Sequence, residues 1–357
     1  MAVTIKQIAE QVGLSLPTVS HVLNNRGRFR EETRQRILSA AANLGYVPNA
    51  TARAMRSRHT YQVGVLTANA PAFRYGSPQN FVAINGLNDG LQAREYVLSM
   101  IRVTDLLADN APTQSRVFRE RMLEGVVVLN VTRHVVEDRV ASLAVPTIWA
   151  DTTHWEPTGC LRPDELAAGR LAAEALVAGG AERLLWLGPI DPGDTPHYSF
   201  SERLAGVQEI ASRAGVRLDH LFCPLIWDQD LFEGLRPYLR PGVGVIAYDV
   251  HRARLVQLAS MKSRLKPGVD FGLACCEIMP DLDWTWPDIC RAGFDRYDFG
   301  QAIAEMMIAM LDSPDSSPES RRFPCHVVPG TTACVNQAGR LLPKDKQTQH
   351  TPESVCV

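Results

Sequence analysis

Apolar residues recur at helical spacing through the first 45 positions: Ile5, Ile8, Ala9 and Val12, then Val19, Val22 and Leu23, then Ile37, Leu38, Ala41 and Leu44. That spacing predicts three short amphipathic helices. Thr4 and Gln7 make a capping-box pattern at the start of the first: the hydroxyl accepts from an orphan backbone N–H while the amide reaches back. Gly13 permits a sharp turn, Leu14 plugs the angle between helices, and Ser15 can cap the second helix. Pro17 falls in that helix's first turn, where its missing N–H costs little. The third helix, about 31–44, stops at Gly45 and lacks the usual small polar cap, because Arg30 stands there.

The pattern changes from Tyr61 onward. Short apolar runs at 63–67, 96–101, 125–130 and 146–151 alternate with amphipathic stretches near 80–94, 113–123 and 135–143. A second series repeats the alternation, with strands at 184–188, 221–226, 244–248 and 271–275 and helices at 164–179, 201–214, 229–238 and 251–260. Such β-then-α alternation implies parallel sheets covered on both faces. Two open sheets side by side leave a cleft at their carboxyl ends, where ligands bind in such folds. The expected fold is an all-α helix-turn-helix head followed by an α/β body of two doubly wound parallel-sheet lobes. Residues 335–357 are polar, lack a leucine heptad and read as a flexible tail.

Composition sharpens this picture in one respect. The net charge of −2 hides an asymmetry: the first 60 residues carry nine Lys/Arg against three Glu, a net of +6, which leaves −8 for the rest. A basic head on an acidic body is the electrostatic footprint of nucleic-acid binding. Length, 45% apolar content and the absence of a leader or an 18-residue apolar window point to a soluble, cytoplasmic protein of two or three domains. Eight scattered cysteines lack metal-ligand spacing and read as reduced, mostly packed thiols. No metal or cofactor is expected.

The string VTIKQIAEQVGLSLPTVSHVLNNRGRFREETRQRILSAAANLGYVPNATARAMRS resembles the DNA-binding head and hinge of the lactose/galactose repressor family through more than fifty contiguous residues. The resemblance implies a head at 1–48, a hinge helix or linker at 49–60 and an effector-binding and dimerisation body at 61–334. Within the body it implies a first lobe at about 61–158 and 294–322 and a second at about 159–293 and 323–334, both similar to periplasmic sugar-binding proteins. The second helix would enter the major groove with Leu16, Pro17 and His21 facing base edges and Thr18 and Ser20 nearer phosphates. His21 stands where the family usually has arginine, and imidazole cannot make the bidentate fork to guanine. Thr4, Asn24, Tyr46 and Asn49 complete the implied DNA-facing set. Met55 would wedge into the minor groove at the operator centre, with Arg53 and Arg56 serving phosphates.

For the body the resemblance implies an effector pocket. Arg203, in RLAG, matches the family's effector-contacting arginine, and Asp151 ends PTIWAD at the first lobe's rim. Trp227 falls where a ring stacks on the effector, Tyr248 precedes Asp249 where Asn-Asp is usual, and Glu277 aligns with an aspartate that accepts ligand hydroxyls. Phe294 lies on the returning segment, and Ser77, Pro78, Gln79 and Asn80 replace Asn-Pro and two aromatics, making that rim more polar. Carboxylates and a guanidinium pair with vicinal hydroxyls while ring faces cover the apolar side of a sugar.

The implied function is a regulator, most often a repressor, acting as a homodimer on a near-palindromic operator under control of a carbohydrate-like effector. Two other classes fit less well. An NAD- or nucleotide-dependent enzyme would need Gly-x-Gly-x-x-Gly or a Walker loop after a strand, and no Ser/His/Asp constellation is legible. A transport binding protein would need a signal peptide and no basic head.

Overall fold

A computed structural model describes residues 3–23, 27–46, 59–67, 78–107, 116–131, 135–189, 197–223, 229–279, 286, 288–313 and 316–334. The chain divides into two compact units, Met1–Thr60 and Tyr61–Val357. Among the described residues no helix is long and apolar enough to cross a membrane.

The first unit contains α1 (Ile5–Val12), α2 (Leu16–Leu23) and α3 (Glu31–Leu44). Thr4 and Gln7 form the full capping box on α1, and Gly13 ends it in the left-handed conformation at φ 65°. Ser15 Oγ accepts from the Thr18 amide at 3.3 Å, holding the start of α2. Arg30 gives α3 no side-chain cap; Glu31 and Glu32 in its first turn complement the dipole instead. Ile8, Ala9, Val19, Val22, Ile37, Ala40 and Ala41 close one core, so each helix contributes its apolar stripe.

The second unit contains two six-stranded sheets. In chain order its strands are β1 (Gln62–Thr67), β2 (Val97–Arg102), β3 (Gly125–Leu129), β4 (Thr147–Ala150), β5 (Cys160–Pro163), β6 (Arg183–Pro189), β7 (Arg217–Cys223), β8 (Val243–Ala247), β9 (Gly272–Cys275), β10 (Cys290–Gly293), β11 (Arg321–Phe323) and β12 (His326–Val328). The first sheet runs β11-β5-β4-β3-β1-β2 and the second β12-β10-β9-β8-β6-β7. All neighbours are parallel except β10 and β12, an antiparallel edge pair. Central strands such as β3 and β8 are buried at every position, as sheets covered on both faces require.

The helices of this unit are α4 (Pro78–Gln92), α5 (Val103–Leu106), α6 (Arg116–Arg119), α7 (Val135–Ala141), α8 (Glu165–Ala178), α9 (Tyr198–Ala214), α10 (Gln229–Leu235), α11 (Val250–Ser263) and α12 (Arg296–Asp312). Two helix pairs cross on reciprocal glycines. On α4 and α12, a Cβ at Gly86 would collide with the Tyr297 carbonyl, and one at Gly300 with the Ala83 carbonyl. On α8 and α9, Gly169 lies under the Arg203 carbonyl and Gly206 under that of Leu166. Glycine is required at these four positions because two backbones meet there.

Several expectations shift. Cys160–Pro163, expected to open the second lobe, is the strand between β4 and β11 in the first sheet. Its buried Arg162 and terminal proline conceal it from any apolar alternation. Strand β7 begins at 217 rather than 221, because an edge strand keeps polar Asp219 and His220 within the ladder, and residues 224–226 of the expected strand lie outside the described residues. The helix expected at 113–123 is described only as the turn Arg116–Arg119. Strands β10 and β11 carry arginines and were not anticipated; the returning segment adds α12 to the first lobe's core, where Ile303, Met306 and Met307 pack on Val127 and Ile148.

Candidate functional site

In the first unit, α2 turns Val19 and Val22 inward and leaves Leu16, Pro17 and His21 exposed on the opposite face, with Leu16 48% exposed. Thr18 and Ser20 flank that face half-buried. Two of the DNA-facing candidates have local structural duties: Thr4 caps α1, and Tyr46 packs against the head's core. Asn24, Asn49, Arg53, Met55 and Arg56 lie outside the described residues, as do Ser77 and Trp227 of the effector set. Gln79 falls in the first turn of α4, and Asn80 is buried there.

In the second unit the candidate residues gather at the carboxyl ends of the strands. Asp151 follows β4 at φ 51° and Asn130 follows β3 at φ 52°, both in the left-handed region that non-glycine residues seldom occupy. Asn130 Nδ2 donates to Asn80 Oδ1 at 3.3 Å, tying the end of β3 to the start of α4. From the other sheet, Tyr248 follows β8, and Glu277 comes two residues after β9.

Contacts between the two sheets converge on Asp151. The Tyr198 hydroxyl, at the start of α9, donates to Asp151 Oδ1 at 2.7 Å. His197 caps α9, and its Nε2 lies 3.0 Å from the Asp151 carbonyl oxygen. That carbonyl can only accept, so Nε2 carries a proton, while Nδ1 accepts from the Ser199 amide at 3.4 Å. Nδ1 in turn lies 2.7 Å from Ser199 Oγ, which lies 2.6 Å from the Tyr248 hydroxyl. The only consistent direction is Tyr248 O–H to Ser199, Ser199 O–H to His197, and His197 N–H to Asp151. Sequence reasoning found no Ser/His/Asp constellation, yet Ser199, His197 and Asp151 meet here. Ser199 is buried and the imidazole faces Asp151 mainly through a carbonyl, which makes a relay across the lobes rather than a presented nucleophile.

Arg203 is buried and bidentate to Glu165, at 2.5 and 2.7 Å, and its remaining amino group donates to the Tyr248 carbonyl at 2.7 Å. Burial alone would lower its pKa, but the Glu165 carboxylate outweighs burial and holds it well above the ordinary arginine value. Its guanidinium also lies 4.6 Å from the Tyr248 ring centroid. Burial pushes the Tyr248 phenol up to about 12, and burial followed by the Asp151 charge pushes Tyr198 well above the usual range. Both phenols therefore stay protonated as donors.

Glu277 accepts from the Val250 amide at 3.0 Å and from Arg296 at 2.6 Å. Phe294, expected as a ring face for ligand, is buried in the first lobe's core against Phe299 and Phe323, with centroids at 5.1 and 6.3 Å. It sits one residue beyond β10, with the Arg296 guanidinium of α12 4.8 Å from its ring centroid. Arg162 donates to the carbonyls of Thr152 and Thr153, and stacks 4.4 Å from the Tyr198 ring. Burial holds its pKa below the ordinary arginine value.

His197, Tyr198, Ser199, Glu165, Asn130, Arg162 and Arg296 were missed from sequence. A signal was available for the first three: HYS caps and opens the α9 helix that follows β6, the position where an open α/β sheet presents side chains to a ligand. Glu165 carried none, since only the crossing of α8 with α9 brings it to Arg203.

The chain is similar to known proteins in sequence and in fold. Residues 4–49 match the family described as bacterial regulatory proteins, lacI family. The ribose operon repressor of Bacillus subtilis (strain 168) is 25% identical over 314 residues, covering 86% of this chain and 91% of its own. Among solved structures, the lac repressor dimer bound to operator and the anti-inducer ONPF superposes with TM-score 0.68 at 21% identity, covering 93% of this chain and 99% of that one. A complex of the transcriptional regulator CelR with cellobiose superposes with TM-score 0.61 at 17% identity, over 91% and 98%. Residues 4–49 therefore carry the DNA-binding domain of the lacI family of bacterial regulatory proteins, joined to a body with the fold of the lac repressor.

Proposed function

We propose that this protein is a cytoplasmic transcriptional repressor that binds near-palindromic operator DNA as a homodimer and releases or tightens its grip when a small carbohydrate-like effector enters the cleft of its body. The observation that carries the reading is the head: a basic three-helix module matching the family over 4–49, with the apolar face of α2 buried and Leu16, Pro17 and His21 displayed. Leu16 is too exposed to serve the core, and an apolar side chain beside an imidazole suits contact with thymine methyls and base edges. Met55, Arg53 and Arg56 are proposed as the central wedge and its phosphate contacts.

For the body, support comes from the polar groups gathered at the strand ends and from the ligands named for structures of similar fold, bound ribose in a LacI family regulator from Enterococcus faecium and cellobiose in the CelR complex. A ligand that favours one lobe arrangement shifts the pair of heads only by its differential affinity for the two arrangements. Selection of duplexes from a random pool by the full-length protein tests the regulator reading. The expected outcome is a site with two half-sites about one helical turn apart. Salt dependence alone, with no sequence preference, would overturn it.

A further inference from the structure

The charges around the cleft are arranged in an unusual way. An open α/β cleft has two general means of holding an anion: an unpaired guanidinium or ammonium, and the amino end of a helix. Among the described residues, the chain's own carboxylates occupy four such guanidinium groups and three such helix ends. Arg203 is bidentate to Glu165, Arg296 is paired with Glu277, Arg252 with Asp249, and Arg322 is bidentate to Glu202. The first three pairs are buried on both sides.

Three helix starts are capped in the same way. Asp164 accepts from the Ala167 amide at the start of α8, Asp249 from Arg252 and Glu277 from Val250 at the start of α11, and Asp295 from Asp298 at the start of α12. His197 takes the same place on α9.

What remains is Asp151. Among the described residues this carboxylate has no guanidinium or ammonium partner; it accepts from the Tyr198 hydroxyl, and the His197 ring lies 3.5 Å away. Buried Arg162 is held instead by two carbonyls and by the Tyr198 and Trp155 ring faces.

We infer that the cleft is charge-selective: it takes an uncharged polyhydroxy ligand whose hydroxyls donate to Asp151, and it rejects the phosphorylated or carboxylated forms of the same sugar. To reach any of these guanidinium groups or helix ends, an anion must separate an ion pair or displace a capping carboxylate, and it meets the Asp151 charge as well. A neutral polyol needs only to share or replace the Tyr198 bond to Asp151, one hydroxyl for another. This inference rests on the reading of the body as an effector-binding unit.

The test pairs neutral sugars with their anionic forms on the full-length protein: D-ribose with ribose 5-phosphate, D-glucose with glucose 6-phosphate and glucuronate, and cellobiose with cellobionate. Thermal shift screens the set and calorimetry follows any member that binds. The expected result is that a neutral member binds and its anionic counterpart is weaker by about 100-fold or more, the low end for disrupting a buried pair. An anionic member that binds as tightly as its parent overturns the inference while leaving the regulator reading intact. Failure of every member overturns the polyol assignment, whereas failure of operator selection would instead sink the regulator reading.

Two variants locate the cause. Glu165→Gln frees the Arg203 guanidinium and is expected to narrow the neutral-to-anion preference at least about tenfold. Asp151→Asn keeps the shape, removes the open charge and is expected to weaken the neutral sugar while narrowing the same preference. An unchanged preference in Asp151→Asn overturns the inference even if Glu165→Gln does not fold.

Discussion

Gly169→Ala is the sharpest probe of how the body builds its site. In an isolated helix this change stabilises, by about 1 kcal/mol, because alanine loses less backbone entropy. Here the added Cβ would stand 2.0 Å from the Arg203 carbonyl oxygen. Ordinary carbon–oxygen contact needs more than an ångström beyond that, so α9 must move away from α8. Gly206 is pinned in the same crossing, with its own Cβ position 2.2 Å from the Leu166 carbonyl, so neither helix can slide to make room.

Overpacking of this kind costs about 1–3 kcal/mol, and the displacement also loosens the buried Glu165–Arg203 pair, whose rupture costs about 3–5 kcal/mol. Partial loss of the pair plus the steric cost, less the propensity gain, leaves a net destabilisation of about 2–3 kcal/mol. For a unit of this size that lowers the melting temperature by about 3–5 °C. Differential scanning calorimetry of the full-length protein reads the shift. Gly234→Ala is the control, since its Cβ would meet only Leu221 methyls at 3.4 and 3.6 Å, and it is expected to leave the melt unchanged or raise it. A Gly169→Ala protein that melts at or above the parent would refute the close approach, and with it the account of how Arg203 is placed.

Three other expectations follow from local geometry. Thr4→Ala removes half of the capping box and is expected to cost the head about 1 kcal/mol, seen as faster hydrogen exchange of α1 amides with no change in the body. Stability is expected to fall as pH rises from about 10 to 12. Tyr96 and Tyr248 are pushed up to about 12 when folded, so across that window the unfolded chain releases protons that the folded chain keeps; a flat alkaline melting curve would contradict this. The buried thiols of Cys160, Cys223, Cys275, Cys276 and Cys290 are expected to resist a thiol reagent such as DTNB until the protein is unfolded, and burial pushes Cys276 to about 12 and Cys290 to about 11. Rapid native labelling of Cys276 would show that the second lobe opens far more readily than its packing implies.

Much of the architecture was legible in the residues because it depends on local periodicity. The head's three apolar stripes, the Thr4–Gln7 box and the strand runs at β1, β3, β4, β6 and β8 are each carried by a few neighbouring positions, and each forms where its spacing indicates. What the sequence could not convey is every feature whose cause lies far along the chain. Strands β5, β10 and β11 carry arginines and are strands because a sheet edge was waiting for them; their own pattern does not announce it.

The site divides the same way. Arg203, Asp151 and Tyr248 could be named from motif and position, but whether a charge is open or already neutralised depends on residues 19 to 120 positions distant: Glu165 for Arg203, Arg296 for Glu277, Glu202 for Arg322. A guanidinium in the sequence is only a positive charge. Two pairs of glycines let helices touch backbone to backbone, a carboxylate arrives beside it, and the cleft's electrostatic character is settled by that long-range contact, which no local pattern encodes.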